Sequence, residues 1–264
     1  MKLSIVTPSY NQGGFIIQAF NSVLNQKLNG CNLEYLVIDN LSHDQTQKIA
    51  RDFKEKFERA SIPFIFVSKP DKGQADAINK GWQQATGDLF AYLNADDYYN
   101  PNVLKNVLDF FNKNPQIDWA YGGWNYVNES GKIIKTINSP VYHKAKLLNF
   151  CNIGQPSCFF RKKLLDQAGL LNTNLHLALD YDLWLRFANI KPADIIPVNI
   201  ANLRYHGQAK SSLKTLGHMN ESLFVAKKYT KPFSYRRMLQ YYFWFRCFIL
   251  IKLGLDFPSR IQVK

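Results

Sequence analysis

The sequence predicts an α/β fold: a mostly parallel, doubly wound sheet covered by helices, followed by a C-terminal helical tail. Three observations carry this. Short apolar runs alternate with helix-periodic runs from Leu3 to the segment after Asn100. Polar clusters stand at the carboxyl ends of three predicted strands, which is where such sheets bind ligands. These clusters are Thr7-Pro8-Ser9, Asp39-Asn40 and Asn94-Ala95-Asp96-Asp97. Finally, 264 residues with 46% hydrophobic and 14% aromatic content can bury a substantial core.

The elements follow in order. Leu3 to Pro8 reads as the first strand. Phe15 to Gln26 reads as a helix with Ile16, Phe20, Val23 and Leu24 on one face. Tyr35 to Asp39 is a short strand ending in a carboxylate. Ser42 and Gln45 form a capping box for a helix carrying Ile49, Phe53 and Phe57. Phe64 to Ser68 is a third strand. Ala75, Ile78, Trp82 and Ala85 mark the next helix, with Gly87 as its stop. Leu89 to Leu93 is a fourth strand, and Asn100-Pro101 supplies cap and first turn of another helix.

The second half has a different rhythm. Trp119 to Tyr126 and Lys132 to Ile137 form a hairpin around Asn128-Glu129-Ser130-Gly131. Residues 138–158 read as polar loop. Ser157 to Arg161 is a strand, Asp180 to Ala188 a short helix, and Ile195 to Tyr205 one or two strands. Without a linker before about Tyr229, residues 1–229 read as one domain and 230–264 as an appended tail.

A formal net charge of +13 asks for an anionic partner. No nucleic-acid motif accompanies it, and no nucleic-acid partner is expected. Met1-Lys2 leads straight into a strand, so no signal peptide is predicted. Cys31, Cys151, Cys158 and Cys247 lack a CxxC pair and read as reduced thiols of a cytoplasmic protein.

The most telling residues are Asp96 and Asp97. Adjacent carboxylates raise each other's pKa unless a cation joins them. Oxygen ligands suit hard ions such as Mg2+ or Mn2+, which share their shell with phosphates. The pair therefore points to a metal gripping a nucleotide diphosphate, against the plainer reading of a turn. No GxxxxGK[ST] P-loop is present to hold phosphate another way.

Five segments together resemble a family 2 glycosyltransferase with the GT-A fold. They are Ser4-Ile5-Val6-Thr7-Pro8-Ser9-Tyr10-Asn11, Val37 to Thr46, Lys69-Pro70-Asp71-Lys72-Gly73, Asn94 to Asp97, and Asp180 to Arg186. The resemblance spans about residues 3–206 and implies the following roles. Thr7, Pro8 and Asp39 serve the nucleoside, Lys72 the phosphates, and Asp96 the ribose or the metal. Asn94 to Asp97 matches the DxD motif with Asn in the first place, leaving Asp97 as metal ligand. His206 matches a pyrophosphate or metal contact. Asp180 matches the base of the ED motif, although Leu179 stands where Glu is usual. Gln155 and Asp182 belong to the acceptor side.

These matches imply an inverting, metal-dependent transferase. It uses Mg2+ or Mn2+, a nucleoside diphosphate sugar donor, and a hydroxyl of a glycan or lipid-linked acceptor, as in surface polysaccharide synthesis. A nucleotidylyltransferase would need a Gly-rich, Arg-containing loop after the first strand, which is absent. A noncatalytic adaptor is disfavoured by Asp39, Asp97 and Asp180. In the tail, cations surround Tyr241 to Phe245 and Cys247 to Ile251. That pattern suits a helix lying on the inner face of an anionic membrane. The alternative packs the tail on the core or on a second subunit as a homodimer.

Overall fold

The computed structural model describes residues 1–28, 30, 32–207 and 215–253. Its strands are β1 Lys2–Ser9, β2 Asn32–Asp39, β3 Phe64–Ser68, β4 Leu89–Tyr92, β5 Tyr98–Tyr99, β6 Trp119–Val127, β7 Ile133–Ile137, β8 Cys158–Arg161 and β9 Asp194–Arg204. They join in the order β3-β2-β1-β4-β8-β6-β9-β5, with β7 paired to β6. The first four strands are mutually parallel, as the alternating pattern predicts. Beyond β4 the sheet is mixed. β8 runs antiparallel to both β4 and β6, and β6 is parallel to β9 across two register shifts.

The helices are α1 Ile16–Leu24, α2 Thr46–Arg59, α3 Gln74–Gln84, α4 Val103–Lys113, α5 Lys144–Leu147, α6 Lys162–Ala168, α7 Leu179–Ile190, α8 Thr215–Lys227 and α9 Tyr235–Lys252. Successive side chains of a strand face opposite ways, so the sheet supports two cores. Leu3, Ile5, Tyr35 and Val37 face Phe20, Phe53 and Phe57. Val6, Leu36 and Ile38 face Ile78 and Trp82, in a cluster that extends to Trp184 and Phe187. Aromatic edges knit the first core; Phe20 meets Tyr35 at 5.8 Å between ring centroids, T-shaped.

Three predicted helix signals have other uses. Ser42 does not cap α2; its amide and hydroxyl both donate to Asp39. Asp44 does that work, accepting from the Thr46 amide at 2.9 Å. Asn100 does not cap α4 either. Its side chain bonds Asn199 and Asn202 of β9, and Gln26 Oε1 accepts from the Leu104 amide at 3.1 Å. Gly87 is not a helix stop: a Cβ there would lie 2.4 Å from Ser4 Oγ, so glycine lets the chain pass close over β1.

The interval read as polar loop contains the short α5 and a 3-10 turn at Gln155–Ser157. Cys151, Cys158 and Cys247 are free thiols; Cys31 and the tail beyond residue 253 lie outside the described residues. Helix α9 is fastened to the body on one side. Gln240 Nε2 donates to the Leu148 carbonyl at 2.6 Å, Phe243 meets Phe150, and Trp244 Nε1 donates to Asn220 of α8 at 2.7 Å. Among the described residues, no helix is long and apolar enough to cross a membrane.

Candidate active site

The carboxyl ends of β1, β2 and β4 open into one cavity of about 670 Å³. That is a size typical of small-molecule sites. Two loops at the rim are tied together by the residues that make the motifs legible. The Asn11 amide donates to Ser42 Oγ at 2.8 Å, and the His43 amide to Asn11 Oδ1 at 2.9 Å. The Gln12 amide donates to Thr46 Oγ1 and the Gly13 amide to Asp44 Oδ2. Asn11 and Leu41 both hold positive φ, 52° in each case. Leucine adopts that conformation only under constraint, and these cross-links supply it.

The donor-side expectations divide. Pro8, Ser9, Asn40, Asp71, Gly73 and Gln74 line the cavity. The Ser9 hydroxyl is buried with no hydrogen-bond partner among the described residues, a polar atom facing a ligand space. Asp39, in contrast, is fully buried and does not line the cavity. Ser42 and Ser68 occupy its carboxylate, the latter at 2.7 Å. Thr7 is likewise buried, with its hydroxyl 2.8 Å from that of Tyr35. Neither side chain is in the cavity lining: Thr7 turns to Tyr35, and Asp39 to Ser42 and Ser68. Lys72 is exposed and outside the lining; only its amide is engaged, by Asp76.

The acidic corner comes together as the sequence suggests. Asp96 Oδ2 lies 3.0 Å from His206 Nε2. Asp97 Oδ1 accepts from the Arg204 amide at 2.8 Å, and its other oxygen from Asn94 Nδ2 at 3.3 Å. Burial and the neighbouring Asp96 charge push the Asp97 carboxyl well above the usual range. Asn94 also links to Gln74 and to Gln155, which in turn donates to the Tyr92 carbonyl at 2.6 Å. Gly154 permits this: a Cβ there would lie 2.4 Å from the Trp124 ring. Arg204 has no motif to announce it. Its guanidinium braces the Asp96 carbonyl at 2.9 Å and sits over the Phe15 and Tyr98 rings.

Asp180 lies in the first turn of α7 and lines the same cavity. Burial raises its carboxyl pKa, and His218 of α8, also in the lining, partly opposes the rise. Glu221 of α8 accepts from the amides of His176, Leu177 and Ala178, the first at 2.9 Å, and so anchors the segment entering α7. No local pattern announces a residue that far downstream. Asp182, expected on the acceptor side, does not line the cavity. It is buried away from the cavity, paired with Arg186 at 3.0 Å and Lys228 at 3.6 Å, because two residues on a helix turn a side chain to another face.

A divalent ion fits the acidic corner. Asp96, Asp97 and His206 offer oxygen and nitrogen donors, and a cation would remove the penalty on ionised Asp97. Among the described residues, no three His, Cys, Asp or Glu side chains are placed to hold an ion unaided. Bound phosphates would complete such a shell.

Comparison with known proteins agrees with this geometry. The profile described as Glycosyl transferase family 2 matches residues 4–168. Chondroitin synthase of Escherichia coli is 26% identical over 223 residues, covering 84% of this chain and 31% of that protein. The structure of S. aureus TarS residues 1–349 with UDP-GlcNAc superposes with a TM-score of 0.66 at 16% identity, over 98% of this chain and 78% of that one. Mannosyltransferase PcManGT of Pyrobaculum calidifontis, with GDP-Man and Mn2+, gives 0.66 at 18%, over 90% and 67%. The chain spans between 22% and 59% of the length of the curated relatives it matches. With its mixed GT-A sheet and the family profile running from β1 through α6, the chain belongs to glycosyl transferase family 2.

Proposed function

We propose that the cavity transfers a sugar from a nucleoside diphosphate donor to a glycan or lipid-linked hydroxyl, with inversion at the anomeric carbon. The observation that carries the reading is that Asp96, Asp97 and His206 line one cavity together with Asp180. The nucleoside rests against Pro8, Ser9 and Asn40, and the unpartnered Ser9 hydroxyl supplies a hydrogen bond there. Asp39 and Thr7 hold that wall from behind. Asp97 and Asp96, with His206, would hold Mg2+ or Mn2+. When bound, the ion supplies positive charge for the departing diphosphate.

The remaining work falls to the chain. The acceptor oxygen attacks the anomeric carbon as the bond to the diphosphate breaks, and its proton passes to the Asp180 carboxylate. Burial makes Asp180 a stronger base than an ordinary aspartate. Gln155, tied to Asn94 in the cavity lining, positions the reacting sugar. The protein works at the inner face of a membrane during surface polysaccharide synthesis. The chondroitin synthase relative is consistent with that role.

A thermal-shift screen of nucleotide sugars with and without Mn2+ tests the class. One or more nucleoside diphosphate sugars should raise Tm by several degrees, and more with Mn2+ than without. Bound ligand at a hundred times Kd stabilises by about 2.7 kcal/mol. A shift with none of them, in either condition, would contradict the reading.

A further inference from the structure

Helix α9 carries apolar residues all round, yet only one side of it is covered. Gln240, Phe243 and Trp244 face the body. On the solvent side, Tyr235, Met238, Tyr242, Phe245 and Ile249 follow one another at intervals of three and four residues and are all exposed. That spacing places them on a single stripe. Leu253 continues the stripe, and Phe233 ahead of the helix is 97% exposed. A contiguous apolar surface of this kind marks an interaction site.

Charge says what covers it. From Ser222 through Leu253 the chain contains Lys227, Lys228, Lys231, Arg236, Arg237, Arg246 and Lys252, and no Asp or Glu. Some of these are engaged: Lys228 with Asp182, and Arg237 with the carbonyls of Lys227 and Thr230. Lys231, Arg236, Arg246 and Lys252 are exposed around the stripe. A second copy docking here would set these cations against their own kind. A partner with negative charge and an apolar interior satisfies both features at once. Tyrosines, phenylalanine and methionine between arginines and lysines are what a bilayer interface accepts.

We infer that the outward face of α9, with Phe233 and Leu253 at its ends, docks on an anionic lipid bilayer. The same helix grips Leu148 and Phe150, just ahead of Cys151, Ile153 and Gln155 in the cavity wall. Through Asn220 it also holds α8, which carries His218 and Glu221 to the base. Resting on the transferase reading, this geometry selects a lipid-linked acceptor, presented from the bilayer to Asp180.

The test uses the full chain and vesicles of phosphatidylglycerol or of phosphatidylcholine alone. The wild type should float with the anionic vesicles at least about tenfold more than with the neutral ones, less so as salt rises. Replacing Phe233, Tyr242 and Phe245 together by Ser changes exposed positions only. It should cut flotation at least about tenfold while Tm holds. Arg246→Glu with Lys252→Glu should do the same. Equal flotation of wild type and both variants overturns the proposal. So does a wild-type dimer, by light scattering, that the Ser variant loses without any vesicle binding. None of these readouts requires turnover, so failure of the transferase reading would appear separately, as no reaction with any donor.

Discussion

Replacing Asp180 by Asn should lower sugar transfer at least about a hundredfold, the usual scale of a lost general base. The amide keeps the size and cannot take the proton. Donor binding should be nearly unchanged, because Asp180 belongs to α7 and not to the acidic corner that would hold the diphosphate. Measuring kcat beside nucleotide affinity separates the two effects. A pH profile adds a second readout. The Asp180 pKa is raised by burial, so the base form is present above that raised value and is lost as pH falls through it. The acid limb of the wild type should therefore lie above about 3.9, the ordinary aspartate value. In its charged form His218 opposes the shift, so His218→Ala should move the limb further to alkaline pH. If Asp182→Asn were crippling and Asp180→Asn were not, the base would be misassigned.

Asp97→Asn should abolish the divalent-dependent part of nucleotide binding. Partners of metal ligands are commonly worth ten- to a hundredfold in affinity, so a ligand should cost about a hundredfold or more. Calorimetry of UDP and GDP with Mn2+ would show it. The substitution keeps the Asn94 and Arg204 neighbourhood filled, and it removes a charge that burial and Asp96 already disfavour. Tm without ligand should stay level or rise. Unchanged Mn2+-dependent affinity would remove Asp97 from the ligand set.

The parallel half of the fold is legible in the sequence because each strand and helix carries its own period. The uninterrupted apolar run Tyr35 to Ile38 reads as a buried strand, and the structure divides it between two cores, Tyr35 and Val37 on one side, Leu36 and Ile38 on the other. The mixed half is harder. Nothing local in Cys158–Arg161 says that it will run antiparallel to both neighbours, since that depends on where the chain returns from. The site shows the same division. Asp96, Asp97, Asp180, Gln155 and His206 converge on the cavity, as the resemblance implies. Asp39 and Thr7 keep to the strand ends where the motifs put them, and their side chains are taken up by Ser42, Ser68 and Tyr35. Helical rotation turns Asp182 away from the face that Asp180 presents to the cavity. Glu221, Arg204 and His218 act through tertiary contacts only. A sequence read segment by segment contains no signal for them beyond their residue type.

Release of nucleoside diphosphate is the most direct measurement of whether the cavity is a sugar-transfer site. The full chain would be incubated with a panel of UDP- and GDP-sugars and Mn2+, without acceptor and then with lipid-linked and free glycans, and the nucleotide products separated. One donor should yield nucleoside diphosphate slowly by hydrolysis and faster with an acceptor, and Asp97→Asn should abolish both. Pyrophosphate with nucleoside monophosphate chemistry, or no product from any donor, would contradict it.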